Sequence, residues 1–358
     1  MFQKKYSLLI ALLVLAIFAV GSVSAADNIT TDSDVPADDI AVDDVSADLS
    51  DENGKVLEQT RASHNVDNSM NQSTIDAEIS AASADSTNHV VDFTYGTYSG
   101  YYFTVQDNVV LDGHGSTVIG DGTNDIFLVT GKSNFTIKNF IVNINKTTKG
   151  HGVYGHHVYN SIITNNTFFN GEDAINIYQI HENLTITDNT IYNVSQDGIS
   201  LVNFQNYMSD DAGFAGFKGS IISGNVITGC QYGMFFGGNF KGTITGNNMA
   251  NCEYGMQFNG KKLASNGRLN ATISNNYITG ANVGIDMNNP GVDYLNITYN
   301  TIRTVNRTSD YAIANNTYFN KTSNGFISIT NNILRGRINQ SFINKTDIFT
   351  DNSGYIPV

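Results

Sequence analysis

Ile186-Thr187-Asp188-Asn189-Thr190-Ile191 recurs, with small changes, down the last two-thirds of this chain. Further copies of Ile-x-x-Asn-x-apolar are Ile222–Ile227, Ile244–Met249, Ile273–Ile278, Ile297–Ile302 and Ile329–Leu334, and earlier ones centre on Asn139 and Asn166. The anchors Asn139, Asn166, Asn189, Asn225, Asn247, Asn276, Asn300 and Asn332 stand 27, 23, 36, 22, 29, 24 and 32 residues apart. The shortest gaps set the unit and the longer ones add a loop, which is the signature of a stacked repeat architecture. A second motif, Gly-apolar-x-apolar, begins at Gly198, Gly233, Gly255 and Gly284. Each unit thus holds two or three short segments of period-2 alternation separated by Asn and Gly turns, with no sustained helical period. Coiling such a unit sets equivalent residues one rung apart, about 4.8 Å, in parallel pairing. The fold class expected is all-β, a parallel β-helix of about 8–10 coils. Two reasons favour Asn at the repeat: it tolerates the left-handed backbone region, and stacked amides can form a ladder.

The repeats resemble the right-handed β-helix, pectin-lyase-like superfamily, over about residues 72–358. The opening Gly96-Thr97-Tyr98-Ser99-Gly100 and Asn108–Gly115 look like the first coil of many members. Ahead of it, residues 73–82 place apolar side chains at Ile75, Ile79 and Ala82, spaced for a short amphipathic capping helix with a Ser/Thr N-cap.

Residues 1–25 read as a secretory signal: Lys4 and Lys5, an apolar run from Leu8 to Val20, and a small-residue stop at Val23-Ser24-Ala25. The run has 13 residues, short for a membrane span, and the reading assigns no transmembrane anchor. Residues 26–71 read as an acidic, disordered spacer. Over residues 27–88 there are 15 acidic side chains against Lys55 and Arg61, a net charge of −13 within a total of −14. Calcium is the one ion its carboxylates would suit, but Asp38-Asp39 and Asp43-Asp44 lack the fixed loop of a calcium hand, so no cofactor and no metal ligands are assigned. Nucleic acid is disfavoured, because no basic patch is legible. Residues 72–358 form the solenoid. They carry Asn-x-Ser/Thr sequons from Asn134 to Asn344, a pattern expected of an exported glycoprotein. Signal, spacer and Asn/Ile-rich coils together resemble the adhesin-like surface proteins of methane-producing archaea. That resemblance implies a secreted or cell-surface location and extracellular glycans or other cells as partners.

Aligning the Gly motifs exposes a column just before the glycine: Asp125, His151, Asp173, Asp197, Tyr232, Tyr254, Val283 and Tyr311. Glu172 lies beside Asp173. Stacked carboxylates and an imidazole suit acid–base work, and paired carboxylates are what glycoside hydrolysis needs. Turns favour Asp and His for conformational reasons too, so His151, Asp173 and Asp197 are catalytic candidates only in an enzymatic reading. The polygalacturonases of the superfamily carry an Asn-Thr-Asp, Asp-Asp, Gly-His-Gly, Arg-Ile-Lys series on their middle coils. Here Gly113-His114-Gly115 falls in the first coil, the one Asp-Asp of the repeats (Asp210-Asp211) falls in an insertion at Asn203–Phe217 suited to wall a groove, and Arg-Ile-Lys is missing. The Arg base that pectate lyases set beside calcium-binding aspartates has no counterpart near Asp197 either, the first Arg of the repeats being Arg268.

A second, outward column reads Tyr154, Asn176, Ser200, Phe235, Gln257 and Asp286, a mixture of rings, amides and carboxylates suited to sugars. With Asp125 and Glu172 it supplies the ligand-binding candidates: Asp125, Glu172, Tyr154, Asn176, Phe235 and Gln257. Cys230 and Cys252 occupy equivalent positions one coil apart, beside small residues at Gly171, Ser195, Ala281 and Ser309. Stacked spacing admits a disulfide, while parallel Cβ vectors favour two buried thiols. Three functions fit: a non-enzymatic adhesin-like glycan binder, a polysaccharide lyase or glycosidase in the β-helix groove, or a structural wall component.

Overall fold

The structure, a computed structural model, describes residues 63–203, 218–260, 267–288, 290–316 and 319–358. The expected signal peptide, most of the acidic spacer and the insertion after Asn203 lie outside the described residues. The chain coils as a right-handed parallel β-helix of about 10 turns. One face is a 12-stranded parallel sheet, from His64–Val66 through Val90–Phe93 to Ile348–Thr350, taking one strand from each successive rung. The remaining strands stack rung on rung as further faces, joined where the long strands Ile141–Tyr159 and Thr167–Glu182 bend around a corner.

The isoleucine of each repeat fills an inward column of the 12-stranded sheet. Ile137, Ile163, Ile186, Ile222, Ile244, Ile273, Ile297 and Ile329 pair rung to rung and are buried. The apolar residue after each asparagine forms the next column (Phe168, Ile191, Ile227, Met249, Ile278, Ile302), and the residue after each motif glycine, or after Ala174 and Ala312 in its place, forms a third (Ile175, Ile199, Met234, Met256, Ile285, Ile313). Each fully buried side chain of this size contributes about 1.5–3 kcal/mol.

The repeat asparagine is the second half of a two-residue corner. Asn166, Asn189, Asn225, Asn247, Asn276, Asn300 and Asn332 are buried. Each Nδ2 donates to the Oδ1 of the asparagine one coil on, as from Asn247 to Asn276 at 2.9 Å. It also reaches the carbonyl of the isoleucine one coil back, as from Asn247 to Ile222 at 3.0 Å. From Asn189 on, each Oδ1 accepts a backbone N–H and an Nδ2–H from the coil before, so the buried amides are fully paired. The expected left-handed conformation falls one residue earlier, at Asn165, Asp188, Gly224, Gly246, Asn275, Tyr299, Asn331 and Asp351, all with φ between 54° and 66°. Asn139, expected as an anchor, belongs to this left-handed rank (φ 63°); Phe140 holds its ladder slot, donating its N–H to Asn166 Oδ1 at 3.0 Å. The ladder ends at Asn352, which accepts from Asn332 Nδ2 at 2.9 Å.

The motif glycines allow close approach. A Cβ on Gly255 would stand 2.5 Å from the Gly284 carbonyl and 2.6 Å from Ile278 Cγ2. The N-terminal helix exists as α1 (Gln72–Ala84) and buries Ile75, Ile79 and Ala82 against the first rung. Its N-cap is Asn71, whose side chain accepts from Thr74 N at 3.0 Å, in place of the expected Ser/Thr. The strand His64–Val66 pairs with Val90–Phe93, so the sheet takes in residues ahead of position 72.

Candidate functional site

The strands that follow each corner set the two polar columns on one outward face. Residues of a strand alternate in and out, so with isoleucine inward at 175 and 199 the residues at 176 and 200 turn away from the core, while Asp173 and Asp197 lie two residues ahead of those isoleucines and are buried. Asp173 pairs with His151, and Asp197 with Tyr232, which in turn pairs with Tyr254, then Val283, Tyr311 and Arg337. Asp125 begins the column, its Oδ1 accepting the His151 N–H at 3.0 Å. Tyr154, Asn176, Ser200, Phe235, Gln257, Asp286 and Ala314 form the parallel column.

His151 is clamped between carboxylates. Its Nδ1 lies 2.8 Å from Asp125 Oδ1, and its Nε2 lies 3.3 Å from Asp173 Oδ2. Burial works against its charge, but the hydrogen bonds to Asp125 and Asp173, with their negative charges, outweigh it and raise the imidazole to about 9. At neutral pH both ring nitrogens therefore donate, and His151 is a fixed cation rather than a free base. Its ring stacks on Tyr154, with centroids 4.7 Å apart. Asp173 also accepts from Asn176 Nδ2 at 2.7 Å and from the Asp197 N–H at 2.9 Å.

Asp197 has the opposite character. Burial, then the charges of Asp173 and Glu172, push it up to about 7, although the Ser200 hydrogen bond and the His151 charge pull it down. It carries a proton for much of its time near neutrality, as a general acid must. Yet Asp197 is 9% exposed and Asp173 3%, so the two catalytic candidates sit beneath the surface rather than on it. Glu172, half-buried at the rim, accepts from Gln196 Nε2 at 2.8 Å and from the Lys149 N–H.

Beyond Asp197 the face turns aromatic. Tyr232 stacks on Tyr254 with centroids 4.9 Å apart, and Phe235 meets Tyr232 edge-on at 5.6 Å. All three rings are partly exposed, as are Tyr154 and Asn176. Gln257 is buried and donates to Asp286 at 2.7 Å; burial raises the Asp286 carboxyl against that hydrogen bond. The arrangement can stack sugar rings on Tyr154, Tyr232, Phe235 and Tyr254 and offer amide and carboxylate partners between them.

Cys230 and Cys252 are free and buried, with sulfurs 3.7 Å apart. The neighbouring Cys252 thiol and burial push the Cys230 thiol well above its ordinary value. Ala281 pairs with Thr304, so Ser309, expected in this small-residue column, is displaced from it. A separate corner gathers Asp92, Asp112 and His114, with ligand-type atoms within 4.8 Å of one another. Asp112 there already holds Lys138 Nζ at 2.8 Å and accepts from Asn139 Nδ2 at 2.7 Å. Alignment of the glycine motifs finds most of the main column, but not Arg337 at its end, which is followed directly by Ile338 with no glycine between.

The chain matches no protein-family model and no curated protein sequence. Among solved structures it is similar to the A-modules of mannuronan C-5 epimerases from Azotobacter vinelandii. For AlgE4 the TM-score is 0.48 at 14% identity, over 80% of this chain and 93% of that one. For AlgE6 it is 0.46 at 15% identity, over 80% and 95%. It is also similar to a mutant tailspike protein of E. coli bacteriophage HK620 in complex with a pentasaccharide, with a TM-score of 0.42 at 12% identity, over 86% of this chain and 63% of that one.

Proposed function

We propose that the protein is an exported, adhesin-like β-helix that binds glycans, on other cells or in the surrounding matrix, without turning them over. The observation that carries this reading is the outward rank of partly exposed rings with an amide among them, Tyr154, Asn176, Phe235, Tyr232 and Tyr254, spread over four of five successive rungs, with buried Ser200 on the rung between Asn176 and Phe235. Flat aromatic faces stack on sugar rings, and interleaved amides fix their hydroxyls. The signal-like N-terminus and acidic spacer fit a chain displayed at the cell surface.

A specific observation keeps an enzymatic reading in view. Asp197, raised to about 7 beside Asp173 and His151, has the proton affinity of a general acid. Its burial speaks against contact with a polymer.

The test applies the full chain to an array of neutral and acidic oligosaccharides, and in parallel to wall and plant polysaccharides with product analysis. Retained binding that is lost in Tyr154→Ala/Phe235→Ala, with no new reducing ends and no unsaturated products, supports the reading. Polysaccharide degradation that disappears when His151, Asp173 and Asp197 are all changed to Asn would replace it with the enzyme.

A further inference from the structure

Four of the chain's six arginines fall between positions 303 and 337, in a protein of net charge −14. Arg303 lies in the strand Thr301–Thr304 and Arg335 ends the strand Ile333–Arg335; the two are direct partners on neighbouring rungs. Their Cα atoms are thus about one strand spacing apart, about 4.8 Å. Both side chains are exposed, and so is Arg307 in the turn that follows Arg303. Arg337 begins the next strand, with its guanidinium 5.0 Å from the Tyr311 ring centroid.

Like charges directly opposite each other destabilise a sheet unless something neutralises them. Among the described residues, the ion pair that engages an arginine is Arg268 with Asp293, and no carboxylate comes within ion-pair distance of Arg303, Arg307, Arg335 or Arg337. Asp310, in the same turn, accepts from Asn306 N at 2.7 Å and Ser309 Oγ at 3.0 Å and so caps its own loop. The Arg337 Nε is buried with no hydrogen-bond partner, a donor left open. Beside the pair lie exposed apolar surfaces: Tyr277, 40% exposed, whose ring centroid is 5.8 Å from the Arg303 guanidinium, and Ile333, 42% exposed.

We infer that Arg303 and Arg335, with Arg337 beside them, form an anion-binding edge that takes an acidic polysaccharide. A guanidinium fork grips a carboxylate or sulfate with two parallel hydrogen bonds. Two forks on adjacent rungs meet a polymer that carries an anionic group on successive sugars, and Tyr277 and Ile333 offer the ring faces a place to lie. The edge keeps the glycan class proposed above but uses different residues: Arg303 and Arg335 stand on another stack of strands, and only Arg337 ends the column that holds Tyr232 and Tyr254. Either reading can therefore fail without the other.

The experiment measures binding of the full chain to immobilised polygalacturonate, dextran sulfate, neutral dextran and duplex DNA at about 50 mM and about 300 mM NaCl. Wild type should bind a carboxylated or sulfated polysaccharide, lose it at the higher salt, and ignore neutral dextran. Which of the two it prefers identifies the anion. Arg303→Gln/Arg335→Gln should bind roughly tenfold more weakly. It should keep the far-UV spectrum and an unchanged or higher melting temperature, because a like-charge pair has gone. Undiminished binding by the double variant overturns the site. Equal binding to duplex DNA overturns the saccharide class, and a wild type that binds neither acidic polymer overturns the proposal outright.

Discussion

Asn247→Ala removes one rung of the buried amide ladder, and its cost can be worked from the contacts. Asn247 Oδ1 accepts from the Asn225 N–H at 3.0 Å and from Asn225 Nδ2 at 2.9 Å. Its Nδ2 donates to the Ile222 carbonyl at 3.0 Å, the Thr245 carbonyl at 3.1 Å and Asn276 Oδ1 at 2.9 Å. Asn276 Oδ1 keeps the Asn247 N–H, whose bond is to the backbone, so it is not orphaned. The Asn225 N–H loses its partner outright, and the carbonyls lose a donor in a site 1% exposed. At about 1–3 kcal/mol for each buried group left unpaired, the total is roughly 3–5 kcal/mol. The matched control is Asn275→Ala, one coil on and one residue before the ladder asparagine Asn276. Asn275 is exposed and left-handed at φ 56°, so its loss costs roughly 1–2 kcal/mol of backbone strain and no buried hydrogen bond. Thermal melts of both variants, followed by circular dichroism at two scan rates, should separate them by several degrees, with Asn247→Ala the lower. Equal losses would refute the reasoning, because the asparagine would then matter only as a turn residue.

Stability should fall as pH rises from 5 to 9. His151, raised from 6.5 to about 9, binds its proton more tightly when folded. Its contribution is complete below pH 6.5 and is lost as pH climbs through 9, about 3 kcal/mol at 1.36 kcal/mol per unit. Asp197, raised from 3.8 to about 7, adds a fall of the same sign between pH 4 and 7. His151→Asn should flatten the upper limb of the melting-temperature profile, and an unchanged slope would contradict the clamp. Tyr299 is a bulky residue at φ 56° and 61% exposed, so Tyr299→Gly should raise stability by about 1 kcal/mol in denaturant titration, and a loss would mean the ring has a contact of its own. Changing His151, Asp173 and Asp197 together to Asn should leave the far-UV spectrum and glycan binding intact, since Asn suits the same backbone; loss of binding would show that their charges recognise ligand.

The coil was legible because its two periodicities are encoded locally. Ile-x-x-Asn places an inward isoleucine three residues before a buried amide, and repetition reveals the rung. The ends of the ladder were harder to read because one slot changes at a time. Ile137-Lys138-Asn139-Phe140 keeps the isoleucine but puts Phe in the amide position, which leaves Asn139 as the nearest and misleading match. Phe349-Thr350-Asp351-Asn352 keeps the amide but puts Phe in the isoleucine slot. The main polar column followed from aligning Gly152, Gly198, Gly233 and Gly255. What alignment could not convey was depth: the same column holds a half-exposed Tyr232 and a buried Asp173, because exposure depends on what neighbouring rungs place around each side chain. The arginine edge was hidden for another reason. Arg303 and Arg335 are 32 residues apart, and net charge averages them into an acidic chain.

The central claim is that saccharide lies along the outward rank of Tyr154, Asn176, Phe235, Tyr232 and Tyr254. Amide hydrogen exchange of the full chain, with and without a saturating oligosaccharide selected from the array, reads this most directly. Ligand-dependent protection should concentrate in 151–159, 173–178, 197–203, 232–238 and 254–259, with the oligosaccharide recovered intact. Protection confined to the 12-stranded sheet, or an oligosaccharide recovered cleaved, would contradict the account.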